Sequence, residues 1–204
     1  MTVSMHRPLG AFMDLLSTEI RSRMGNDPSR EAAHRRIFGD MALEAPQASH
    51  ELPQRQPACR HLAACFADLE KLGGNLGKLA VALREIEPNL SWNNQSERRK
   101  SAVLAENYAD SFIVGPRGFV PSSRVEIGVS VMAPHTTYPD HRHPPEELYL
   151  VLSQGEWRQN ADAWHEPGVG GVVYNPANIV HAMRANAKPL FAIWCLPLDN
   201  GPHS

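Results

Sequence analysis

Paired cysteines are missing from this sequence. Its three cysteines, Cys59, Cys65 and Cys195, are an odd number and form no CxxC pair. This pattern argues against a disulfide framework and against a zinc site made of thiolates. Because Cys59 and Cys65 fall in a helical pattern and Cys195 in an apolar strand, we expect all three to be small buried hydrophobic residues.

Long hydrophobic runs and a large excess of charge are also missing. The longest apolar runs are strand-like pieces such as LYLVL, far below the roughly 20 residues of a membrane span. The formal net charge is −2, so neither nucleic acid nor an anionic membrane surface is an expected partner. The N-terminal segment MTVSMHRPLGAFMDLLSTEIRSRMG has no uninterrupted apolar stretch of the signal-peptide kind. We therefore expect a cytoplasmic protein that is not bound to a membrane.

The first ~90 residues have a helical period. In the opening segment one helix face is formed by Leu9, Phe12, Met13, Leu16 and Ile20. Three more helices are predicted, from Pro28 to Leu43, around the apolar stripe Leu62–Leu69, and from Leu76 to Ile86. Such amphipathic helices pack on a core or form a dimer surface, and a homodimer through the helical part is one hypothesis for the assembly.

A long segment between the second and third helices, residues 44–58, is rich in proline and polar residues. Loops of this length in compact domains are often lids or linkers. Both roles are open for this segment.

The pattern of apolar residues changes at about Ser111 from a helical period to short β-rich runs. Segments such as RVEIGVSVMAP, EELYLVLS and PLFAIWCLPL alternate with glycine, proline and asparagine, which is typical of strands and tight turns. We predict a mostly β fold, a single antiparallel barrel of jelly-roll type, preceded by an α-helical segment. The predicted division places the helical part at residues 1–110 and the barrel at residues 111–204.

Four side chains in the stretch YPDHRHPPEELYLVLSQGEW can share one face. His141 and His143 are two residues apart, as are Glu147 and Tyr149, and strand alternation sends such pairs to the same side. Alternation sends Arg142 and Glu146 to the opposite side. Imidazole and carboxylate groups bind Zn, Fe, Mn, Co or Ni.

A further histidine, His181, follows in the segment GVGGVVYNPANIVHAMRA. Two histidines, a glutamate and this third histidine make a site with three or four protein ligands and open positions. Open positions are typical of catalytic rather than structural metal sites. The sequence therefore predicts one divalent transition metal ion, whose identity the ligand set does not decide.

Two motifs carry a resemblance to a known family. HRHPPEELYLVLSQG resembles the first cupin motif, and PGVGGVVYNPANIVHAM resembles the second. Within the cupins, the segments YPDHRH, ELY and YNP with HAMR resemble the lyases that act on dimethylsulfoniopropionate (DMSP), together with their lyase-like relatives. An N-terminal helical part before the barrel fits the same family.

The resemblance implies roles for the site residues. In these lyases the metal is held by the residues that correspond to His143, Glu147 and His181. His141 lines the site, and whether it binds the metal is open. The tyrosine that corresponds to Tyr149 is the proposed catalytic base.

The implied reaction explains why a tyrosine is useful. A base removes the proton beside the DMSP carboxylate, and dimethyl sulfide leaves as acrylate forms. A free phenol titrates at about 10, and a nearby divalent cation lowers that pKa. The resemblance adds Tyr138 as a further active-site tyrosine.

The sulfonium end of DMSP cannot donate hydrogen bonds, so aromatic faces suit it, at about 0.5–2 kcal/mol each. Tyr138, Tyr174 and Trp194 lie on predicted barrel strands, and we expect them to bind this end of a small zwitterionic or carboxylate substrate. Two alternatives remain beside the lyase. One is a related metallo-cupin, an oxygenase or isomerase of another small carboxylate, and the other is a non-catalytic binder.

Overall fold

Helices form the N-terminal half of the chain. The structure is a computed structural model that describes residues 6–39, 53–93 and 101–198. Its helices are α1 (His6–Arg23), α2 (Pro28–Phe38), α3 (Leu62–Leu72), α4 (Gly74–Ile86) and a short α5 (Ala102–Asn107). Two 3₁₀ turns, Pro57–His61 and Glu87–Asn89, flank the pair α3 and α4.

Local signals in the sequence set the helix ends. Asp27 caps α2 by accepting hydrogen bonds from the backbone N–H groups of Ser29 and Arg30, with Pro28 at a position where its missing N–H costs nothing. Gly73 separates α3 from α4 with a φ of 67°, a left-handed conformation that favours glycine. The short helix α5 was not predicted from the sequence. The predicted end of the second helix, at Leu43, and most of the segment 44–58 lie outside the described residues.

Nine strands follow in the part of the chain that the structure describes, and they form two sheets. The strands are β1 (Tyr108–Gly115), β2 (Val120–Pro121), β3 (Val125–Met132), β4 (Thr137–His141), β5 (Glu147–Val151), β6 (Glu156–Gln159), β7 (Val172–Asn175), β8 (His181–Arg184) and β9 (Leu190–Pro197). The larger sheet has the order β2-β1-β3-β9-β5-β7, and the smaller has the order β4-β8-β6. Their pairings are antiparallel except that of β1 with β2.

The fold class is the one that the sequence predicts, a jelly-roll barrel that follows helices. The two sheets enclose a cavity lined by both of them. Strand β1 begins at Tyr108, inside the predicted helical part, because its first residues pair with the end of β3, where Tyr108 is opposite Met132. The division at residue 110 stays a prediction.

The larger sheet has two apolar faces with different partners. On the face away from the cavity, residues such as Leu148 and Ile193 share one core with Phe12 and Leu16 of α1.

All three cysteines are buried and free, as predicted, and burial raises the pKa of the Cys65 thiol to about 12. Within the described residues no helix has both the length and the apolar character needed to cross a bilayer.

A polar clamp joins the helical part to the barrel next to the predicted site. Nε of Arg36 in α2 donates to Oε1 of Glu146 at 2.7 Å, and the Tyr174 hydroxyl donates to Oε2 of the same carboxylate at 2.8 Å. Glu146 points away from the side to which Glu147 points, as alternation predicts. The clamp therefore fixes the start of β5 from outside the cavity.

We expect Arg36→Ala to lower the free energy of unfolding by about 1.5–3 kcal/mol, because a buried carboxylate loses a charged hydrogen-bond donor. Urea unfolding followed by circular dichroism measures this change. The matched control is Arg35→Ala, at an exposed position on the same helix, which should stay within about 0.5 kcal/mol of wild type. Equal effects of both substitutions would contradict the clamp.

Candidate metal centre

The candidate site occupies a cavity of about 410 Å³ between the two sheets. Its walls are built from β1, β3, β4, β5, β8 and β9, with histidine and carboxylate groups on one side and aromatic rings on the other. A second cavity of about 280 Å³ lies between α3 and the turns before β6 and β9. None of the predicted site residues lines that second cavity.

Three histidines meet at one end of the first cavity. Cross-strand pairing of β4 with β8 sets His141 directly opposite His181, and their ring centres are 4.0 Å apart. His143 follows the end of β4, and its ring centre is 5.1 Å from that of His181. One ring nitrogen from each histidine lies within 4.8 Å of the others, close enough for all three to bind one ion.

The backbone orients all three rings in the same way. Nδ1 of His141 contacts the carbonyl oxygen of Pro139 at 3.0 Å, and Nδ1 of His143 contacts that of Pro145 at 2.8 Å. Nδ1 of His181 contacts the carbonyl oxygen of Ile179 at 3.0 Å. A carbonyl only accepts, so each Nδ1 carries the proton and each Nε2 keeps a lone pair. Metal-binding histidines are commonly held in this way.

His181 gives the plainest sign that a ligand belongs here. Its Nε2 is buried and makes no hydrogen bond with any residue that the structure describes. Buried polar atoms are rarely left without a partner. A metal ion at the shared point of the three rings would satisfy this lone pair.

Glu147 stands beside two of the histidines and is only 3% exposed. Its Oε2 lies 3.6 Å from Nε2 of His143 and 3.4 Å from Nε2 of His181. Nδ2 of Asn175 donates to the same oxygen at 3.0 Å, and Nε2 of Gln159 donates to Oδ1 of Asn175 at 2.8 Å. A chain of two side-chain amides therefore fixes the carboxylate.

Burial and these neighbours act in opposite directions on the titrating groups. Burial favours the neutral carboxyl, but the neighbouring imidazoles of His143 and His181 outweigh it and hold the pKa of Glu147 well below its usual range. Burial and the charge of His181 lower the pKa of His141 to about 4. For His143, burial lowers the pKa, but the nearby Glu147 carboxylate outweighs it and raises the pKa.

The donor set fits a divalent transition metal. The structure brings together the predicted ligands His143, Glu147 and His181, and it adds His141 to the histidine cluster. Three imidazole nitrogens and one ionised carboxylate suit Zn, Fe, Mn, Co or Ni, and the set does not choose among them.

Tyr149 lies on β5 two residues after Glu147 and lines the same cavity. It is 4% exposed, and its ring meets Trp157 edge-on at 6.1 Å. Burial raises the pKa of the Tyr149 phenol well above its usual value, and the negative charge of Glu147 raises it further. A positive charge close to its oxygen would act in the opposite direction.

Tyr138 and Trp194 also line the cavity, as expected of substrate-binding residues. The Tyr138 ring lies 4.5 Å from the ring of His141. The Trp194 indole packs over β3, and its Nε1 donates to Oγ of Ser130 on that strand at 2.9 Å. Gly128 makes this possible, because a Cβ there would lie 2.1 Å from the indole.

Two expected positions are corrected by the structure. Tyr174, predicted to bind substrate, pairs across the sheet with Leu148 and faces the helices, where it contacts Glu146. Its neighbour Asn175 faces the site instead, because alternation reverses at each residue. Arg142, predicted to point outward, lines the mouth of the cavity because β4 ends at His141 and alternation stops there.

Sequence reasoning missed several residues of the cavity. Tyr108, Asp110 and Phe112 project from β1 into it at two-residue intervals, a signal that a strand beginning at Tyr108 would have revealed. The contact between Asn175 and Gln159 could not be predicted from the sequence, because it joins two strands, β7 and β6, that no local pattern relates.

Comparison with known proteins gives one family. The model of the DMSP lyase family matches residues 29–192. Among curated sequences, the chain is 32% identical over 161 residues to the protein from Cereibacter sphaeroides named "Putative dimethylsulfoniopropionate lyase DddL". It is 28% identical over 107 residues to dimethylsulfoniopropionate lyase DddQ from Ruegeria pomeroyi.

These matches cover 77% of this chain and 66% of DddL, and 51% of this chain and 53% of DddQ. The aligned part thus spans about half to two thirds of the length of the two relatives.

Solved structures share the fold. The crystal structure of DddQ from Ruegeria pomeroyi superposes with a TM-score of 0.68 at 22% identity, over 96% of this chain and 94% of that one. A structure reported with the DMSP lyases RdDddP and RnDddQII superposes with a TM-score of 0.64 at 20% identity, over 97% and 96% of the two chains. The helices and the barrel therefore recur together in these proteins.

We expect His181→Ala to weaken Zn²⁺ binding by more than about 100-fold, because even residues that only support a ligand are worth about 10–100-fold. Competition with a chromophoric chelator measures the dissociation constant. His165→Ala, at an exposed histidine outside the cluster, is the control and should bind Zn²⁺ like wild type. Wild-type affinity in His181→Ala would contradict the assignment of the centre.

Proposed function

Because the chain belongs to the DMSP lyase family, we propose that it is a metal-dependent carbon–sulfur lyase that cleaves DMSP into dimethyl sulfide and acrylate. The family membership rests on a match that covers most of the chain. The specific substrate and mechanism are our inference from the chemistry of the cavity.

One observation carries the proposal. Three Nε2 atoms point to a common place beside the ionised Glu147, and Tyr149 follows on the same strand face. A simple binding pocket has no need of a phenol next to a metal centre. A site that removes a proton from carbon needs both a strong base and a group that absorbs the developing charge.

His143, Glu147 and His181 would hold the metal, and His141 would bind it or line its open side. A divalent cation there supplies a Lewis acid for the substrate carboxylate and the positive charge that favours the phenolate form of Tyr149. Gln159 and Asn175 keep the Glu147 carboxylate in place while substrate enters.

Tyr149 is the proposed base. Its phenolate oxygen takes the proton from the carbon next to the substrate carboxylate, and the electrons of that C–H bond form the C=C bond of acrylate. The bond from the neighbouring carbon to sulfur breaks, and its electrons leave with neutral dimethyl sulfide. The phenol must then lose its proton to solvent before the next turnover.

The aromatic wall receives the sulfonium methyl groups. Tyr138 and Trp194 present aromatic rings to the cavity, and a cation over such a ring gains about 0.5–2 kcal/mol. Tyr138 also contacts His141, so the same side chain reaches toward both ends of a small substrate and has a proposed part in catalysis.

The test is headspace dimethyl sulfide released from DMSP by protein loaded separately with Zn, Fe, Mn, Co or Ni. We expect Tyr149→Phe to lower kcat by at least about 100-fold, which is the lower range for loss of a general base. Its metal content, measured by atomic emission, should equal that of wild type.

The control for this test is Tyr174→Phe, which removes a phenol on the opposite face of the same sheet. Its kcat should stay within about threefold of wild type. Absence of dimethyl sulfide with all five metals would overturn the proposed reaction. Wild-type turnover by Tyr149→Phe would overturn only the role of the tyrosine.

A further inference from the structure

Strand β4 has one residue more than β8 between two of their paired positions. Tyr138 is opposite Met183, and His141 is opposite His181. The step along β4 is therefore three residues where the step along β8 is two. Such an additional residue makes a β-bulge, and bulges re-aim side chains next to active sites.

The bulge turns His141 toward the cavity. In a regular strand, residues three positions apart face opposite sides, so Tyr138 and His141 would not share a face. Here both line the cavity, and their ring centres are 4.5 Å apart. The interaction that holds the bulge therefore also holds His141 in the histidine cluster.

An ion pair holds the bulge from the outer face of the smaller sheet. Nη2 of Arg158 donates to Oδ1 of Asp140, the residue before His141, at 2.6 Å. Arg158 lies in β6, and β8 separates that strand from β4. Its side chain crosses β8 at Ala182, the buried residue opposite it in register, where a single methyl group leaves room for the guanidinium.

The ring of Trp164 orders the guanidinium that makes this ion pair. The guanidinium carbon of Arg158 lies 4.8 Å from the ring centre, and that of Arg184 lies 4.4 Å from the same centre. A planar guanidinium already held over an aromatic ring loses less freedom when it binds a carboxylate. The ion pair is therefore more persistent than one between two mobile surface side chains.

We propose that Arg158 is a positioning residue of the metal centre. Its ion pair with Asp140 holds the bulge in β4 and so keeps Nε2 of His141 directed at the point that the three histidines share. Arg158 acts through His141 and touches neither the metal nor the substrate. The inference rests on the metal centre of the proposed function and not on DMSP as the substrate.

Co²⁺ is the probe for this proposal. It is one of the metals that the donor set suits, and the intensity and position of its visible absorption bands depend on the number and type of its ligands. The spectrum of His141→Ala is the reference for a centre without that imidazole. Titration of the same bands gives the dissociation constant of Co²⁺.

We expect the Co²⁺ spectrum of Arg158→Ala to move from that of wild type toward that of His141→Ala. Its dissociation constant should rise by about 10-fold, the lower range for a residue that supports a ligand. Asp140→Asn should act in the same way, and the double variant should be no worse than either single one, because both changes break one interaction. Arg158→Lys keeps the charge without the planar group and should lie between wild type and Arg158→Ala.

Arg184→Ala is the matched control. Arg184 lies over the same Trp164 ring, and it donates to both carboxylate oxygens of Glu156 at 2.6 and 3.0 Å, so its described side-chain contacts lie away from the bulge. Its Co²⁺ spectrum should equal that of wild type, with a dissociation constant within about threefold. A merely structural role for Arg158 would lower the stability of both variants and leave both spectra unchanged.

Three results would overturn the role of Arg158. These are a wild-type spectrum in Arg158→Ala, additive effects of Arg158→Ala and Asp140→Asn, and one and the same spectrum for wild type and His141→Ala. Failure of wild type to bind Co²⁺ would overturn the metal centre and this inference together. The expected spectra from a protein that releases no dimethyl sulfide from DMSP would uphold the role of Arg158 and remove the lyase reaction.

Discussion

The cavity depends on one buried ionised carboxylate, that of Glu147. Removing such a charge from water costs several kcal/mol unless partners surround it. Its partners come from three separate parts of the chain, namely His143 after β4, His181 in β8 and Asn175 in β7. The requirement to compensate this one charge therefore ties the two sheets together at the place where the metal ligands meet.

Strand alternation gives adjacent residues different partners, because they face opposite sides of the sheet. Glu146 and Glu147 differ by one position, yet the first binds Arg36 of the helical part and the second faces the cavity. The same holds for Tyr174 and Asn175 on the paired strand. The helices act on the site through its outer face, so they support its geometry without contributing a side chain to the described cavity lining.

Much of this arrangement was predictable where one strand or one motif carries the information. Glu147 and Tyr149 share a face because their two-residue spacing lies within β5, and helix ends followed their proline and glycine signals. Prediction failed where register across strands decides, as for Tyr174. The start of β1 also depended on pairing with β3, so Asp110 stayed hidden until the sheet was seen.

The two ends of the cavity differ in their chemistry. One end of the cavity carries the three histidines and the Glu147 carboxylate, and its aromatic wall includes Tyr138 and Trp194. In the proposed reaction, the carboxylate of the zwitterion would lie at the histidine end and its cation at the aromatic rings.

The most direct measurement of the central claim is the product stoichiometry of metal-loaded protein with DMSP in the absence of oxygen. β-Elimination requires one acrylate for each dimethyl sulfide, and we expect equal amounts to form at the same rate without oxygen. Turnover that requires oxygen, or dimethyl sulfide without matching acrylate, would contradict the assignment as a lyase.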